Sequence, residues 1–188
     1  LFRSDNDKPV AHVNLAEVNV VRIRLANVLF GGLAGIKFNY IYDHNTTWDN
    51  VTNQRITQLR PEIQTTTIDF INQVEFDLGI KLRVVQGLRT FSEQDALYAK
   101  GRTAAGSIVT NAKGGQSYHN YGLALDVVEI NNGRANWNTS WSEISRIGGK
   151  YGFEWGGNFK SITDKPHFQM RYGYNIRTLQ HFHSLGKW

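Results

Sequence analysis

The sequence predicts an α+β fold, because helical and strand-like segments mix along it without the regular alternation of a doubly wound sheet. Helical spacing of apolar residues, short alternating segments and two helix starts with capping-box spacing support this class. With 188 residues and 40% hydrophobic side chains, the chain has enough apolar material for one ordinary core and too much for a disordered chain. We therefore expect one folded domain with an appendage.

Residues 1–55 differ from the rest, being polar and Asn-rich at their edges. Residues 18–23 and 36–42 favour β-structure and predict two short strands, or an arm that packs on a neighbour. The longest apolar stretch, residues 28–36, is about half as long as a bilayer-spanning helix, so no membrane span is predicted. The predicted organisation is an N-terminal segment, 1–55, of unknown role and a folded domain, 56–188.

The first clear helix begins at Pro61, a residue suited to the first helical turn. Apolar side chains then recur at helical spacing, and Gly79 stands where a C-terminal cap belongs. Residues 80–85, Ile-Lys-Leu-Arg-Val-Val, alternate as a strand does. The region therefore predicts a helix followed directly by a strand.

A second helix is predicted after this strand. Thr90 and Glu93 have capping-box spacing, and the helix is expected to run to about Gly101. Residues 102–117 are rich in Gly, Ala, Ser, Thr and Asn without apolar periodicity. They predict a surface loop of unusual length, of the kind that is often functional.

Residues 123–130, Leu-Ala-Leu-Asp-Val-Val-Glu-Ile, predict a strand that ends in a turn at residues 131–133. Ser140 and Glu143 again have capping-box spacing and predict a short helix that ends at residues 148–149, a Gly-Gly pair.

Two more strands and a last helix complete the prediction. Residues 153–155 and 167–170 read as strands, and Asn175 is suited to cap a helix that runs to about Leu185.

The charged residues and the cysteine count narrow the possible chemistry. The chain has no cysteine, which excludes a disulfide, a thiolate nucleophile and any Cys-ligated metal site. A metal would have to be held by His, Asp, Glu or backbone oxygen. The 21 basic and 16 acidic side chains give a net charge of +5, and no run of basic residues indicates a nucleic-acid surface. An anionic polymer is an equally suitable partner.

Two polar residues lie in contexts that require an explanation. Asp126 lies in the middle of an apolar strand, where an ionised carboxylate is costly unless a cation or donor meets it. In the later strand His167 and Gln169 share one face. If these strands pair, Asp126 and His167 converge with His119.

Two imidazoles and one carboxylate suit tetrahedral Zn²⁺ with water as the fourth ligand. Asp164, on the loop that enters the later strand, would then act as a general base. The alternative is that the histidines are structural or surface residues.

Three segments carry a more specific pattern. They are Gly87-Leu88-Arg89-Thr90 with Glu93-Gln94-x-x-Leu97-Tyr98-Ala99-x-Gly101-Arg102-Thr103, Ser117-x-His119-x-x-Gly122-x-Ala124-x-Asp126, and Asp164-x-Pro166-His167-Phe168-Gln169. In this order, between about residues 59 and 170, they resemble the D-alanyl-D-alanine carboxypeptidase family of zinc peptidases, which cut bacterial cell-wall peptides. The most similar branch is the L-alanyl-D-glutamate endopeptidases of phage endolysins and bacterial autolysins.

The resemblance implies a small antiparallel sheet that carries a zinc site and is flanked by helices, as in hedgehog domains and D-Ala-D-Ala peptidases. Residues 56–188 would then be the zinc peptidase domain. It also implies one Zn²⁺ per chain, with His119, Asp126 and His167 as ligands. Asp164 matches the catalytic base of the family.

The resemblance assigns roles to four further residues. Arg89 matches the arginine that binds substrate and stabilises the oxyanion, a role for a fixed cation placed where charge develops. Ser117, Gln94 and Tyr98 match substrate-binding positions. For Gln94 and Tyr98 the alternative is helix packing that supports the Arg89 loop.

The predicted function is a zinc metallopeptidase of peptidoglycan stem peptides, with L-alanyl-D-glutamate endopeptidase activity. Residues 155–159, Trp-Gly-Gly-Asn-Phe, depart from the Trp-Gly-Gly-Asp-Trp run of that branch, which leaves the scissile bond open. The alternatives are a D-alanyl-D-alanine carboxypeptidase and a non-catalytic zinc-containing binding module. The expected partner is bacterial peptidoglycan, with no nucleic acid, and segment 1–55 is a candidate for binding a carrier or inhibitor protein. The expected place of action is the bacterial cell wall, reached in the periplasm, by secretion or by phage delivery.

Overall fold

The computed structural model describes residues 45–188. Both strands predicted at residues 18–23 and 36–42 lie outside this range. None of the helices within the range has the length and apolar character that crossing a membrane requires. The elements, in chain order, are α1 (Asn50–Ile56), α2 (Pro61–Leu78), β1 (Leu82–Gln86), α3 (Phe91–Ala99), a 3-10 turn (Tyr118–Tyr121), β2 (Ala124–Asn131), β3 (Arg134–Asn136), α4 (Trp141–Lys150), β4 (Glu154–Trp155), a second 3-10 turn (Gly156–Asn158), β5 (His167–Gln169) and α5 (Ile176–Ser184).

The strands form one antiparallel sheet in the order β1-β2-β5-β4, with β3 paired to β2. Mixed helices around a small antiparallel sheet confirm the predicted α+β class. The central pairing of β2 with β5 sets Asp126 opposite His167. A register shift between Val84 and Gln86 precedes the last pair of β1 with β2, in which Gln86 lies opposite Asp126, and the chain then leaves the sheet toward Arg89. Irregular pairing of this kind is common next to active sites.

The core lies between the sheet and helices α2 and α4. Phe70, Phe153 and Phe168 form its aromatic centre, with ring centroids 5.0 to 6.4 Å apart. Phe168 points into this core from β5, while its neighbours His167 and Gln169 share the opposite face, as the period of a strand requires. The same three-residue strand therefore contributes to both the core and the cleft described below.

Several predicted helix boundaries are confirmed. Helix α2 begins at Pro61 and ends at Gly79, which has a left-handed φ of 68°. Thr90 and Glu93 form both bonds of the predicted capping box. The predicted turn joins β2 to β3 through Asn132 and Gly133, which have φ values of 50° and 76°, and Asn175 caps α5.

Two predictions for α4 are wrong. The helix does begin after Ser140, but the Ser140 side chain makes no capping hydrogen bond. Its ψ of 62° lies outside the extended region in which an N-cap residue normally reaches the helix end. The helix also continues through Gly148 and Gly149 to Lys150. Packing favours glycine at residue 148, since a Cβ there would lie 3.0 Å from the Phe168 ring.

The strand limits also differ from those predicted. Strand β1 begins at Leu82, not at Ile80, and the short edge strand β3 is not apparent from the sequence.

Asp49 anchors the first helix of the described region to the sheet. It caps α1 by accepting from the backbone N–H of Thr52, and it accepts two hydrogen bonds of 2.9 Å from Arg83 of β1. Asp49 is buried, whereas Arg83 is one-third exposed. Burial raises the pKa of Asp49, but the hydrogen bonds from Arg83 and Thr52 lower it by more, so that its pKa lies below the ordinary value of 3.8.

We expect Asp49→Asn to lower the free energy of unfolding by about 2 kcal/mol at pH 7, the range for hydrogen bonds to a charged group. Asparagine keeps the helix cap but loses the charge. Because the folded-state pKa is depressed, the stabilisation is present above the pKa of the unfolded chain, near 3.9, and is lost as pH falls through the lower folded value. Urea unfolding of both proteins at several pH values measures the difference.

Glu62→Gln, which breaks the exposed ion pair with Arg60, is the control and should change stability by less than about 0.5 kcal/mol. A difference between wild type and Asp49→Asn that stays constant down to pH 2 would contradict the assigned ion pair.

Candidate active site

The first predicted ligand, His119, lies on a short 3-10 turn that precedes β2. Ser117 caps this turn and accepts from the backbone N–H of His119 at 3.3 Å. Gly122 ends the turn with a φ of 65°, and a Cβ there would lie 3.0 Å from the backbone nitrogen of Arg60. The close approach and the left-handed conformation together favour glycine. Local sequence thus sets the position of His119 over the end of the sheet.

The structure brings together the three side chains predicted as metal ligands. His119 Nε2 lies 3.2 Å and His167 Nδ1 lies 3.1 Å from Asp126 Oδ1. The two ring nitrogens are 3.1 Å apart. Both histidines are buried and Asp126 is about one-fifth exposed. The predicted convergence of these residues through pairing of the two strands is confirmed.

The outer hydrogen bonds of the two rings determine which nitrogens carry hydrogen. His119 Nδ1 lies 2.8 Å from the carbonyl oxygen of Gly87, which can only accept, so His119 donates from Nδ1. His167 Nε2 lies 3.0 Å from Oε1 of Gln169 and donates there. The inner nitrogens are then lone-pair acceptors that face a carboxylate oxygen.

Three acceptors within about 3 Å of one another require a cation between them. Two neutral imidazoles and one carboxylate are the ligands that Zn²⁺ takes in hydrolytic sites, and imidazoles that donate their outer N–H to oxygen are typical of such sites. These three ligand atoms therefore fit the Zn²⁺ that the family resemblance implies.

The titration properties of the cluster agree with its attraction for positive charge. Burial raises the pKa of Asp126, but the charge and hydrogen bonds of His119 and His167 lower it by more, so that it lies far below its ordinary range. Burial lowers the pKa of His167, but the hydrogen bond and charge of Asp126 raise it by more.

Arg89 lies beside this cluster and is firmly oriented. Its Nη2 is 3.4 Å from Asp126 Oδ2, and its Nη1 donates to Gln94 Oε1 at 2.9 Å. The backbone N–H of Arg89 donates to the carbonyl of His119, and the side-chain amide of Asn120 donates to the backbone carbonyl of Arg89. The side chain is 12% exposed. These contacts give a fixed cation with its terminal nitrogens directed at the metal-ligand cluster and Gln94.

Asp164 is held by the turn that precedes β5. Its backbone N–H donates to Gly156, and its carbonyl accepts from the N–H of His167. A Cβ at Gly156 would lie 2.5 Å from the Asp164 carbonyl oxygen, so glycine is required there. Burial and the nearby negative charge of Asp126 raise the pKa of the Asp164 carboxyl. A raised pKa is typical of a carboxylate that exchanges protons near neutral pH.

A cleft of about 560 Å³ contains these groups. Arg89, Ser117 and Asp164 line it together with the three candidate ligands. One wall comes from the long loop predicted over residues 102–117, and the opposite wall from residues 159–164. The remaining lining residues are Leu97, Val109, Thr110, Asn111, Ala112, Gln116, Tyr118, Phe159, Ser161, Ile162 and Gln169.

Gln94 and Tyr98 do not line this cleft. Gln94 is buried behind Arg89, and its amide nitrogen donates to the carbonyl of Ala112 at 2.8 Å. Tyr98 lies under the guanidinium of Arg102, 4.0 Å from the ring centroid, and its carbonyl accepts from the same residue. Both side chains support the cleft wall in this structure, and their predicted contact with substrate stays a prediction.

Sequence reasoning missed the role of two residues in the cleft. Phe159 packs on the His167 ring with centroids 5.6 Å apart, and Gln169 bonds to His167. Gln169 could have been found from its position, because it shares a strand face with a candidate ligand two residues away. Phe159 belongs to the run of residues 155–159 compared above with the endopeptidase branch, but that comparison does not indicate its contact with the His167 ring.

Comparison with known proteins gives consistent matches. A family model described as D-alanyl-D-alanine carboxypeptidase matches residues 110–170. The peptidoglycan L-alanyl-D-glutamate endopeptidase CwlK of Bacillus subtilis is 41% identical over 113 residues, covering 54% of this chain and 68% of the relative. The L-alanyl-D-glutamate peptidase of Listeria phage A118 is 30% identical over 105 residues, covering 53% of this chain and 34% of the relative.

Among solved structures, the L-Ala D-Glu endopeptidase ChiX of Serratia marcescens is similar. It has a TM-score of 0.49 and 22% identity, with 65% of this chain and 88% of that chain covered.

Proposed function

Because this chain belongs to the D-alanyl-D-alanine carboxypeptidase family of zinc peptidases, we propose that it hydrolyses the L-alanyl-D-glutamate bond of peptidoglycan stem peptides. The observation that carries the proposal is the set of three converging acceptors with Arg89 and Asp164 in one cleft. We propose residues 56–188 as the catalytic domain, since every residue of this cleft lies within them. The place of action is the bacterial cell wall, reached by secretion or by phage delivery.

His119, Asp126 and His167 are the proposed ligands of one Zn²⁺. Held by these residues, Zn²⁺ would supply polarisation of the scissile carbonyl and a lower pKa of the attacking water. Asp164 accepts the proton of this water on its carboxylate and delivers it to the nitrogen of the leaving amine. Arg89 donates from its guanidinium to the oxygen of the scissile carbonyl as negative charge develops there. Ser117 is a proposed hydrogen-bond partner of the substrate backbone.

Charge in the cleft favours the endopeptidase over a carboxypeptidase. A carboxypeptidase must bind the terminal carboxylate of its substrate in addition to stabilising the oxyanion. Among the described residues that line the cleft, Arg89 is the only Lys or Arg, and Asp126 already offsets part of its charge. If Arg89 binds the oxyanion, no second Lys or Arg among these residues remains to bind a terminal carboxylate. Such a site suits cleavage of a bond inside a peptide.

Digestion of purified muropeptides by the zinc-loaded protein, followed by mass spectrometry, tests the proposal. The expected products are a stem peptide that begins with D-glutamate and a glycan fragment that keeps L-alanine. Release of free D-alanine would replace the endopeptidase with the carboxypeptidase that the family description names. If protein with one zinc per chain cleaves neither bond, the chain is a non-catalytic zinc-containing binding module.

A further inference from the structure

The outer nitrogen of His167 is the start of a chain of hydrogen bonds that leads to the protein surface. His167 Nε2 bonds to Oε1 of Gln169 at 3.0 Å, and Nε2 of Gln169 donates to Oε2 of Glu154 at 3.2 Å. Oε2 of Glu154 also lies 2.8 Å from Nη2 of Arg171. Gln169 is buried, whereas Glu154 and Arg171 are about half exposed.

We propose that Gln169, oriented by Glu154, is a positioning residue that fixes the tautomer of His167 and so directs its Nδ1 lone pair at the metal. The inference rests on the proposed zinc site and extends it to two residues that do not touch the metal.

The direction of the chain follows from the chemistry of its outer end. A carboxylate only accepts, so Glu154 draws the amide NH₂ of Gln169 toward itself and leaves the amide oxygen facing His167. That oxygen in turn only accepts, and with a cation bound between the three converging acceptors the ring hydrogen is on Nε2. The inner Nδ1 is therefore free of hydrogen and available as a ligand.

The register of the sheet produces this arrangement. Strand β4 pairs with β5 so that Glu154 lies opposite Gln169, and the strand period sets Gln169 on the same face as His167.

The two candidate histidine ligands therefore depend on different supports. His119 bonds to a backbone carbonyl, that of Gly87, whose polarity no substitution can reverse. His167 depends on a side-chain amide, which would present NH₂ to the ring if it turned over. Of the two, His167 is the ligand whose orientation can be changed by mutation away from the metal.

The zinc affinity of the 188-residue chain, measured by competition with a chromophoric chelator, tests the proposal. We expect Gln169→Leu to weaken zinc binding about 10- to 100-fold, the usual effect of losing a partner of a metal-bound imidazole. Glu154→Lys should weaken it by a similar factor, because a lysine donates to the amide oxygen and turns the NH₂ toward His167. Glu154→Gln keeps an acceptor and should change affinity less than about threefold, and Arg171→Ala less than about twofold.

The tautomer of His167 can be measured directly, and it would not change if Gln169 and Glu154 had only a structural role. In ¹⁵N NMR spectra recorded with zinc, a diamagnetic metal, at a concentration that saturates the wild type, His167 of the wild type should carry hydrogen on Nε2. In Glu154→Lys the hydrogen should shift to Nδ1. An unchanged tautomer in Glu154→Lys, or wild-type zinc affinity in Gln169→Leu, would overturn the positioning role. Failure of the wild type to bind zinc would instead overturn the metal site.

Discussion

Replacing Asp164 by asparagine is expected to lower kcat by about two to four orders of magnitude, the usual contribution of a general base, while zinc stays bound at one per chain. Asp164 lines the cleft but is not one of the three converging acceptors. Asparagine has nearly the same shape and cannot take up the proton of the attacking water. Steady-state hydrolysis of a muropeptide and metal analysis of the same sample measure the two quantities.

Thr163→Ala is the matched control, because Thr163 is an exposed neighbour on the same segment and does not line the cleft. It should keep wild-type kcat. Loss of zinc from Asp164→Asn would make Asp164 a metal ligand, and unchanged kcat would remove it from the proton transfer.

His119→Ala should lose both zinc and activity. The substitution removes one of three protein donors, and the two that remain do not complete the ligand set of a catalytic zinc site. We expect less than about 0.1 zinc per chain at zinc concentrations that saturate the wild type, and no detectable muropeptide cleavage. The wild type should also unfold at a higher temperature with zinc than without it, because a metal held at 100 times its Kd stabilises the native state by about 2.7 kcal/mol.

His181→Ala is the control for loss of a histidine as such, since His181 is exposed on α5. It should retain zinc, activity and the zinc-dependent rise in unfolding temperature. Circular dichroism establishes whether His119→Ala is folded. A folded His119→Ala protein with one tightly bound zinc would exclude His119 as a ligand.

Elements defined by local chemistry could be predicted well from the sequence. Pro61 and Gly79 mark the ends of α2, and the capping residues of α3 and α5 act within one turn of themselves. Boundaries that depend on distant residues could not be predicted. Glycine is favoured at position 148 inside a helix, because a Cβ there would lie only 3.0 Å from the ring of Phe168, twenty residues later.

The same distinction applies to the site. The three candidate metal ligands could be predicted, because a carboxylate in an apolar strand is a local anomaly and the family resemblance supplied the positions of both histidines. The outer part of their support could not, since the contact of Gln169 with Glu154 depends on the register of β4 with β5. Gln94 combines the two cases. Its position in the motif predicts that it belongs to the site, but only the structure shows that it accepts a hydrogen bond from Arg89.

The pairing of β2 with β5 allows a bound metal to stabilise the fold as a cross-link. Asp126 and His167 are 41 residues apart in sequence, so a metal held between them closes a long loop, as a disulfide does in many extracellular proteins. This chain has no cysteine, and its cross-link is indifferent to oxidants and reductants. The cross-link would form only when zinc is bound, so a single event would both stabilise the folded chain and complete the catalytic site.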